Sequence, residues 1–395
     1  MTRYPPIHQL PAPEAEAAAH STRLAERIRA EIAAAGSIPF IRFMELALYA
    51  PGLGYYSAGA QKFGPGGDFV TAPELSPVFS RCVARQCQEV LGQTGGDILE
   101  LGPGSGIMAA DILLELSALG SLPERYYILE VSGELRERQR AILTTRVPHL
   151  LERVTWLQAL PGPGFRGIIL GNEVLDALPV QRFCITGQGP LPMHVAWEED
   201  RGFGWCEGDS DELVTATVDI LQAELGFSLP VGYQSEFNPH LNAWLATLAE
   251  ILETGALLLI DYGYPRREYY HPERTTGTLI CHYRHRAHYN PLILPGLQDI
   301  TANVDFTALA DAAVNAGLEV AGYTSQAYFL FGCGLQEQLT GVDPKDPARY
   351  AELTRQVKLL TLPGEMGERF KAIALTRGLA MPLRGFALFD ERRRL

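Results

Sequence analysis

Basic residues are under-represented in this sequence of 395 residues. Lysine and arginine number 33 against 46 aspartates and glutamates, so the formal net charge is −13. The only basic block is Arg392–Arg394 at the C-terminal end. A protein with so little positive charge is a poor ligand for a phosphate backbone, and we expect no nucleic-acid partner. An acidic protein attracts cations instead, and basic peptide segments are among them.

Paired cysteines and long hydrophobic runs are absent. The six cysteines form no Cys-x-x-Cys motif, and apolar runs such as Leu257–Ile260 are far shorter than a membrane span. The N-terminal residues lack the apolar core of a signal peptide, and Glu14 and Glu16 are atypical of a transit peptide. We therefore expect a reduced, cytoplasmic protein that does not insert into a membrane.

Short apolar runs alternate with helical patterns from residue 97 to residue 172. Such a β-α-β-α-β order with almost continuously apolar strands predicts an α/β fold, in which helices cover both faces of a parallel sheet. Strands are also expected near 256–263, 318–326 and 369–377. The apolar periodicity predicts helices at about 20–35, 39–47, 76–91, 107–119, 134–145, 240–252 and 305–316, with two more within 327–362.

A glycine-rich turn follows the first strand of this region. It begins at Glu100 and contains Gly102, Gly104 and Gly106, which allow the backbone to turn tightly and approach a ligand. The glycine spacing differs from the dinucleotide pattern G-x-G-x-x-G, so an NAD-dependent dehydrogenase is only the fold-level alternative. A carboxylate at this position repels a pyrophosphate but suits the ammonium and sulfonium groups of S-adenosylmethionine (SAM). The simpler interpretation is an ordinary tight turn with a surface glutamate. In both interpretations we expect Glu100 at a solvent-facing strand end.

A second acid, Glu130, follows the next strand. An acid at this strand end can accept hydrogen bonds from both ribose hydroxyls of a nucleoside ligand. Alternatively, Glu130 or Ser132 only caps the following helix.

The strand near 168–172 runs directly into Asn172, Glu173 and Asp176. In a doubly wound sheet its carboxyl end lies beside the first strand, where reactants bind. Glu173 and Asp176 would share a face if a helical turn followed at once. The alternative is that Asn172 or Asp176 caps a helix with Pro179 just inside its start.

Six ordered segments carry a resemblance to a known family. They are GDFVTAPE at 67–74, ELGPGSG at 100–106, NEVLDALPV at 172–180, DYG at 261–263, QDIT with VDF at 298–306, and MG with FK at 366–371. The chain resembles the MidA family, which includes the mitochondrial complex I assembly methyltransferase. The resemblance runs from about Leu24 to Gly378.

The resemblance implies a class I SAM-dependent methyltransferase fold: Rossmann-like, with a mostly parallel seven-stranded sheet, an N-terminal helical extension and insertions. It also implies SAM as cofactor and, from the mitochondrial members, arginine methylation of a protein substrate such as a respiratory-complex subunit. Two alternatives stay open, a methyltransferase for a small molecule or a non-arginine nucleophile, and an assembly factor that binds SAM. The oligomeric state is undetermined, and a homodimer is one of the alternatives that stay open.

These considerations divide the chain into three parts. We predict an N-terminal helical and glycine-rich segment at 1–84, a Rossmann-like methyltransferase core at 85–380 and a tail at 381–395. Insertions into the core are expected at about 181–240, 264–304 and 327–365. Alternating apolar and polar residues at 181–207 predict a small antiparallel appendage.

The predicted catalytic residues are Glu173, Asp176 and Asn172. An arginine acceptor is fully protonated, and its planar fork pairs with carboxylates, so Glu173 is the first candidate to hold it and Asp176 the second.

The predicted cofactor residues are Glu100, Gly102, Gly104, Gly106 and Glu130, together with Asp68, Phe69 and Thr71 of the first motif. Asp68 and Glu74 are further candidates for the acceptor, with helix or turn capping as the equal alternative.

Four histidines lie at 271, 282, 285 and 288. They form no i, i+4 pair beside a glutamate of the zincin type, and no cysteine pair accompanies them. We therefore expect no metal site.

Overall fold

The computed structural model describes residues 10–57, 71–340, 347–380 and 382–395. Its contacts divide the chain into two compact units. The insertion unit consists of Met1–Phe69, Asp176–Pro239 and Tyr264–Asp305. The sheet unit consists of Val70–Leu175, His240–Gly263 and Phe306–Leu395. The sequence-based boundaries at 84 and 380 remain predictions.

The helices, in chain order, are α1 Ala15–Ala35, α2 Phe40–Tyr49, α3 Ala72–Leu75, α4 Pro77–Thr94, α5 Ile107–Ala118, α6 Gly133–Arg146, α7 Glu212–Leu225, α8 Leu241–Ile251, α9 Arg266–Tyr269, α10 Phe306–Asn315, α11 Gln326–Gly332, α12 Leu335–Thr340, α13 Pro347–Thr361 and α14 Met366–Arg369.

The strands are β1 Ile38–Pro39, β2 Asp97–Leu101, β3 Tyr126–Leu129, β4 Val154–Leu157, β5 Phe165–Asn172, β6 Gln181–Thr186, β7 Gly189–Glu198, β8 Gly202–Glu207, β9 Gln234–Phe237, β10 Leu252–Tyr264, β11 Ile280–Tyr283, β12 Arg286–His288, β13 Asp299–Thr301, β14 Val304–Asp305, β15 Glu319–Ser325 and β16 Phe370–Arg377.

Seven strands of the main sheet lie in the order β15-β16-β10-β5-β2-β3-β4. The pairs β10–β5, β5–β2, β2–β3 and β3–β4 are parallel, whereas β16 is antiparallel to both of its neighbours. In the register Leu101 pairs with Gly171 and with Leu129, so these strands end together. This arrangement confirms the predicted mostly parallel sheet and places the turns after β2, β3 and β5 at one edge.

The apolar strands explain why this sheet forms. Ile98 and Leu99 of β2 and Ile168 and Ile169 of β5 are fully buried. Strands that are apolar on both faces must be covered by helices on both sides, as the sequence predicted. The described core of the sheet unit joins these strands to α4, α5 and the C-terminal helices.

The insertion unit is built on antiparallel sheets. One sheet has the order β1-β7-β6-β9, with β8 pairing to β7, and another has the order β12-β11-β13. Helices α1 and α2 contribute Leu24, Ile28 and Phe43 to a core that also contains Val195 of β7. The antiparallel appendage predicted at 181–207 is therefore confirmed.

Several predicted elements need correction. Helix α1 begins at Ala15 and not near 20, and the described part of 327–362 contains α11, α12 and α13 where two helices were expected. Helix α7 and the strands β11–β13 were missed. The signal for α7 was present, because Asp211 accepts a hydrogen bond from the amide of Val214 at the helix start, and the buried Val214, Val218 and Leu221 follow at helical spacing.

Within the described residues, no helix is both long and apolar enough to traverse a lipid bilayer.

Candidate active site

The glycine turn after β2 adopts a backbone conformation that favours glycine. The φ angles are 56° at Gly102, 56° at Gly104 and 87° at Gly106, all in the left-handed region. Gly106 is the N-cap residue of α5. A Cβ atom at position 106 would lie 3.1 Å from Cα and Cγ of Gln139, which is tighter than ordinary packing allows. The turn therefore brings bare backbone and the start of a helix to the carboxyl edge of the sheet.

Glu100 lies inside the sheet and not at its surface. We expected a solvent-facing strand end, but the side chain is fully buried within β2. The hydroxyl of Tyr126 donates to Oε2 at 2.7 Å, whereas Oε1 accepts no hydrogen bond from the described residues. Burial raises the pKa of Glu100 to about 7, although the Tyr126 hydrogen bond opposes this and the charge of Glu130 adds to it.

Glu130, which is 6% exposed, is held by two donors at the end of β3. The Ser132 amide donates to Oε1 at 2.8 Å, and Nε2 of Gln139 donates to Oε2 at 3.1 Å. Ser132 itself caps α6 through the amide of Leu135, so the capping alternative holds for Ser132. An ionised carboxylate is an acceptor only, which is the type of group that ribose hydroxyls bind.

The turn after β5 forces Glu173 into a strained conformation. Its φ is 54°, in the left-handed region, which costs a residue with a side chain about 1–3 kcal/mol. The Glu173 amide donates to the carbonyl of Ile260 at 2.9 Å, and the Leu175 amide donates to Oδ2 of Asp261 at 2.9 Å. Both bonds anchor the turn to β10, so the strand beside it maintains the unusual geometry.

No helical turn follows β5, which corrects two expectations. Residues 173–180 form bends and turns, so Glu173 and Asp176 do not share a helix face and Asp176 caps no helix. Instead, Nδ2 of Asn172 donates to Oε1 of Glu173 at 3.2 Å. Oδ1 of Asn172 is buried and accepts no hydrogen bond from the described residues. The structure thus brings Asn172 and Glu173 together.

Asp176 is the first residue of its segment in the insertion unit. It is 6% exposed, and its carbonyl accepts from the amide of Ala302 at 3.0 Å. In the same unit, the hydroxyl of Tyr56 donates to Asp299 at 2.9 Å. Burial raises the pKa of Tyr56 well above its ordinary value, and the charges of Asp299 and Asp176 contribute.

The first sequence motif is only partly described. Thr71 precedes α3, and its carbonyl accepts from the Leu75 amide at 2.9 Å, but its side chain makes no capping hydrogen bond. Glu74 accepts a hydrogen bond from the hydroxyl of Ser105 in the glycine turn. Asp68 and Phe69 lie outside the described residues.

Sequence reasoning missed Tyr126, Gln139 and the role of Asp261. Tyr126 and Gln139 reach the site from the neighbouring strand and from the helix behind it, and no local spacing reports such contacts. Asp261 was noted only as part of a motif, yet it accepts from the amides of both Leu175 and Tyr262.

The histidine-rich segment shows no metal geometry. Burial lowers the pKa of His282 to about 4, with His288 adding to the effect. Across the part of the chain that the structure describes, no group of three or more His, Cys, Asp or Glu side chains is placed to hold a metal ion.

The site fits a nucleoside that carries an ammonium group. The orphaned Oε1 of Glu100 is a buried acceptor for a cation, and the glycine turn that follows brings the N-terminus of α5 to the same edge of the sheet. Glu130 lies at the next strand end with acceptor capacity for hydroxyls. These features suit SAM, whereas a pyrophosphate would meet the buried acid.

Comparisons with known proteins agree with this geometry. Residues 82–324 match the model of a family of S-adenosyl-L-methionine-dependent methyltransferases. A superfamily member from Burkholderia thailandensis, solved with S-adenosyl-homocysteine bound, is 44% identical, with a TM-score of 0.93 over 98% of this chain and 100% of that chain.

Curated relatives are similar over most of the chain. The mitochondrial protein arginine methyltransferase NDUFAF7 of Rattus norvegicus is 29% identical, covering 90% of this chain and 85% of the relative. The Drosophila melanogaster homologue is 29% identical, with 95% and 89% covered. The human protein is 28% identical, with 90% and 83% covered.

These relatives also correct one prediction. All three are named as mitochondrial proteins, and this finding overturns the expected cytoplasmic location. The resemblance to the MidA family, the fold and the cofactor are confirmed. The chain belongs to the family of S-adenosyl-L-methionine-dependent methyltransferases, and SAM is its cofactor.

Proposed function

We propose that this methyltransferase acts on the guanidinium group of an arginine in a protein, and that Glu173 is the catalytic residue. The left-handed backbone of Glu173, directly after β5 and next to the strand that leads into the glycine turn, is the observation that carries the proposal. Strain in a turn that neighbouring hydrogen bonds maintain is typical of functional sites. The names of the curated relatives, all protein arginine methyltransferases, support the choice of acceptor.

We assign the cofactor to the edge of the sheet unit. Glu100 would accept from the ammonium group, Glu130 would accept from the ribose, and the turn containing Gly102, Gly104 and Gly106 would lie along the ligand. When bound, SAM supplies a methyl group on a sulfonium, and displacement forms the N–CH3 bond as the S–CH3 bond breaks. Thr71 remains a candidate for binding the cofactor.

The carboxylate of Glu173 would bind the protonated guanidinium of the acceptor and take up the proton that it releases. A guanidinium has no free lone pair in its resting state, and a carboxylate that accepts from two of its N–H groups localises positive charge there. This leaves the remaining nitrogen a better nucleophile. Its proton leaves once the N–CH3 bond has formed, and Glu173 can accept it and pass it to water. The amide of Asn172, donating to Oε1, would orient that carboxylate. Asp176 stays the second candidate from the sequence.

The acceptor would be a protein with an exposed arginine. The resemblance to a family that includes the mitochondrial complex I assembly methyltransferase suggests a respiratory-complex subunit as that protein.

The test is transfer from isotopically labelled SAM to proteins of the host lysate, followed by mass spectrometry of the labelled residues. We expect label on arginine. Glu173→Gln keeps the shape of the side chain but removes its charge, so the rate should fall by about a hundredfold while the affinity for SAM stays within a few-fold. Glu319→Gln, at an exposed position in β15, is the matched control and should behave as wild type.

Two results would contradict the proposal. Label confined to lysine, glutamine or small molecules would exclude arginine as the acceptor. A fully active Glu173→Gln enzyme would remove Glu173 from catalysis, and a variant that no longer binds SAM would move Glu173 to the cofactor site.

A further inference from the structure

Gln139 connects the two strand ends that we assign to the cofactor. It lies on α6, its side chain is fully buried, and it uses both ends of its amide. Nε2 donates to the carbonyl of Gly104 at 2.9 Å and to Oε2 of Glu130 at 3.1 Å. Oε1 accepts from the indole N–H of Trp156 at 3.0 Å. One side chain therefore binds the glycine turn after β2 and the acid after β3.

Trp156 determines which way this amide points. An indole N–H can only donate, so the oxygen of the Gln139 amide must face it. The NH2 group then faces the carbonyl of Gly104 and the carboxylate of Glu130, both of which can only accept when Glu130 is ionised. The chemistry of the three partners thus permits a single amide orientation.

The backbone of α6 reinforces the same connection. A Cβ at Gly106 would come within 3.1 to 3.2 Å of Cα, Cβ and Cγ of Gln139. The stem of Gln139 is therefore packed directly on the last glycine of the turn, while its amide reaches the middle of the turn and the acid. Displacing this side chain would affect all three positions together.

We propose that Gln139 is a positioning residue for the cofactor, which keeps Glu130 oriented toward the ribose and the glycine turn at a constant distance from it. The inference rests on the proposed assignment of Glu130 to the ribose. Without the amide, Glu130 keeps the donor from Ser132 at Oε1, but Oε2 loses the hydrogen bond from Gln139 that fixes its orientation relative to the glycine turn. A binding group that is fixed in advance binds more tightly, because less conformational freedom is lost on binding.

The test measures the affinity of Gln139→Met for S-adenosylhomocysteine and for its 2′-deoxy and 3′-deoxy analogues by calorimetry. Methionine keeps the length of the side chain but offers no hydrogen bond. Wild type should prefer the intact ribose. The variant should bind S-adenosylhomocysteine about tenfold more weakly. Its ribose preference, the affinity for S-adenosylhomocysteine divided by the affinity for a deoxy analogue, should fall toward one. Gln326→Met is the matched control, because Gln326 is equally buried in the sheet unit and binds the carbonyl of Leu360.

The ribose preference separates positioning from a merely structural role. An equal loss of affinity for all three ligands, with the preference retained, would overturn the inference, as would unchanged binding of all three. A wild-type protein that binds S-adenosylhomocysteine with no ribose preference would overturn the assignment of Glu130 and this inference with it, without touching the proposed acceptor.

Trp156→Phe is a second variant in case Gln139→Met folds poorly. It removes only the donor that orients the amide and keeps an aromatic face beneath Arg140, whose guanidinium lies 5.0 Å from the Trp156 ring centroid. We expect a smaller decrease of the ribose preference in the same direction. A ribose preference equal to that of wild type in this variant would show that Trp156 does not orient the amide and would contradict the inference.

Discussion

At the scale of single residues, the cofactor role proposed for Glu100 would couple folding to ligand binding. Burial raises its folded-state pKa to about 7 from an ordinary value of 4.5, so folding favours the protonated form. Its contribution to stability is complete below the pKa of the unfolded chain and is lost as the pH rises through about 7. In the proposed site, the ammonium of the ligand would reverse this preference, because a cation next to Oε1 favours the carboxylate.

We predict that Glu100→Gln flattens the pH dependence of the unfolding free energy and that of the affinity for the ligand. The ligand-free variant should exceed wild type in unfolding free energy by about 3 kcal/mol near pH 8, because it no longer has to bury a charge. Wild-type affinity for S-adenosylhomocysteine should fall as the pH drops below 7, whereas the variant should bind weakly throughout. Urea unfolding and calorimetry at pH 5, 6, 7 and 8 measure the two profiles.

The control for this experiment is Glu319→Gln, whose exposed side chain should leave both profiles as in wild type. If wild type and Glu100→Gln lost stability in parallel between pH 5 and pH 8, the titrating group would be another residue.

At the scale of elements, a buried carboxylate links the pieces of the insertion unit. Glu236 of β9 is fully buried and accepts from the amide and the hydroxyl of Thr278, each at 2.6 Å. The hydroxyl of Tyr269, the last residue of α9, donates to the same oxygen at 3.2 Å. The Asn303 amide in turn donates to the Thr278 hydroxyl at 3.0 Å. Four separate segments therefore depend on one acid and one hydroxyl.

We predict that Thr278→Val lowers the free energy of unfolding by about 1–3 kcal/mol, because a buried acceptor loses a donor and the Asn303 amide loses its acceptor. Thermal unfolding measures the loss. Thr215→Val is the control, since the Thr215 hydroxyl donates to Asp211 at the surface of α7 and its removal should change stability little. Equal melting temperatures for Thr278→Val and wild type would show that this link does not stabilise the unit.

At the scale of the whole molecule, the net charge of −13 bears on the proposed acceptor. An acidic protein attracts a basic peptide over distances of about a Debye length, which is roughly 10 Å at 0.1 M salt. The charge raises the encounter rate and does not act on the chemical step.

We predict that KM for an arginine-rich peptide rises by about three- to tenfold between 50 and 300 mM NaCl, while kcat stays nearly constant. Steady-state methylation at several salt concentrations measures both, and a peptide of the same length with no net charge is the control. A KM that does not change with salt, or a decrease in kcat alone as the salt concentration rises, would contradict electrostatic attraction of the acceptor.

The sequence alone determined the sheet and the turns at its edge. The mostly apolar runs at 98–101 and 168–170, which alternate with helical patterns, predict buried strands of a parallel sheet that is covered on both sides. The glycines at 102, 104 and 106 also predicted the tight turn, because only glycine adopts a left-handed backbone freely. The motif order added the family and its cofactor, which the comparisons confirm.

Only the tertiary structure determined the burial of Glu100 and the backbone conformation of Glu173. Glu100 was expected at the surface, and it is buried because the neighbouring strand places Tyr126 against it. Glu173 was expected at the start of a helix, and it is left-handed because hydrogen bonds to β10, almost ninety residues later in the chain, hold the turn. Gln139 carried no signal at all. Local sequence encodes backbone preference and burial, whereas the partner of a polar side chain depends on which distant segment packs beside it.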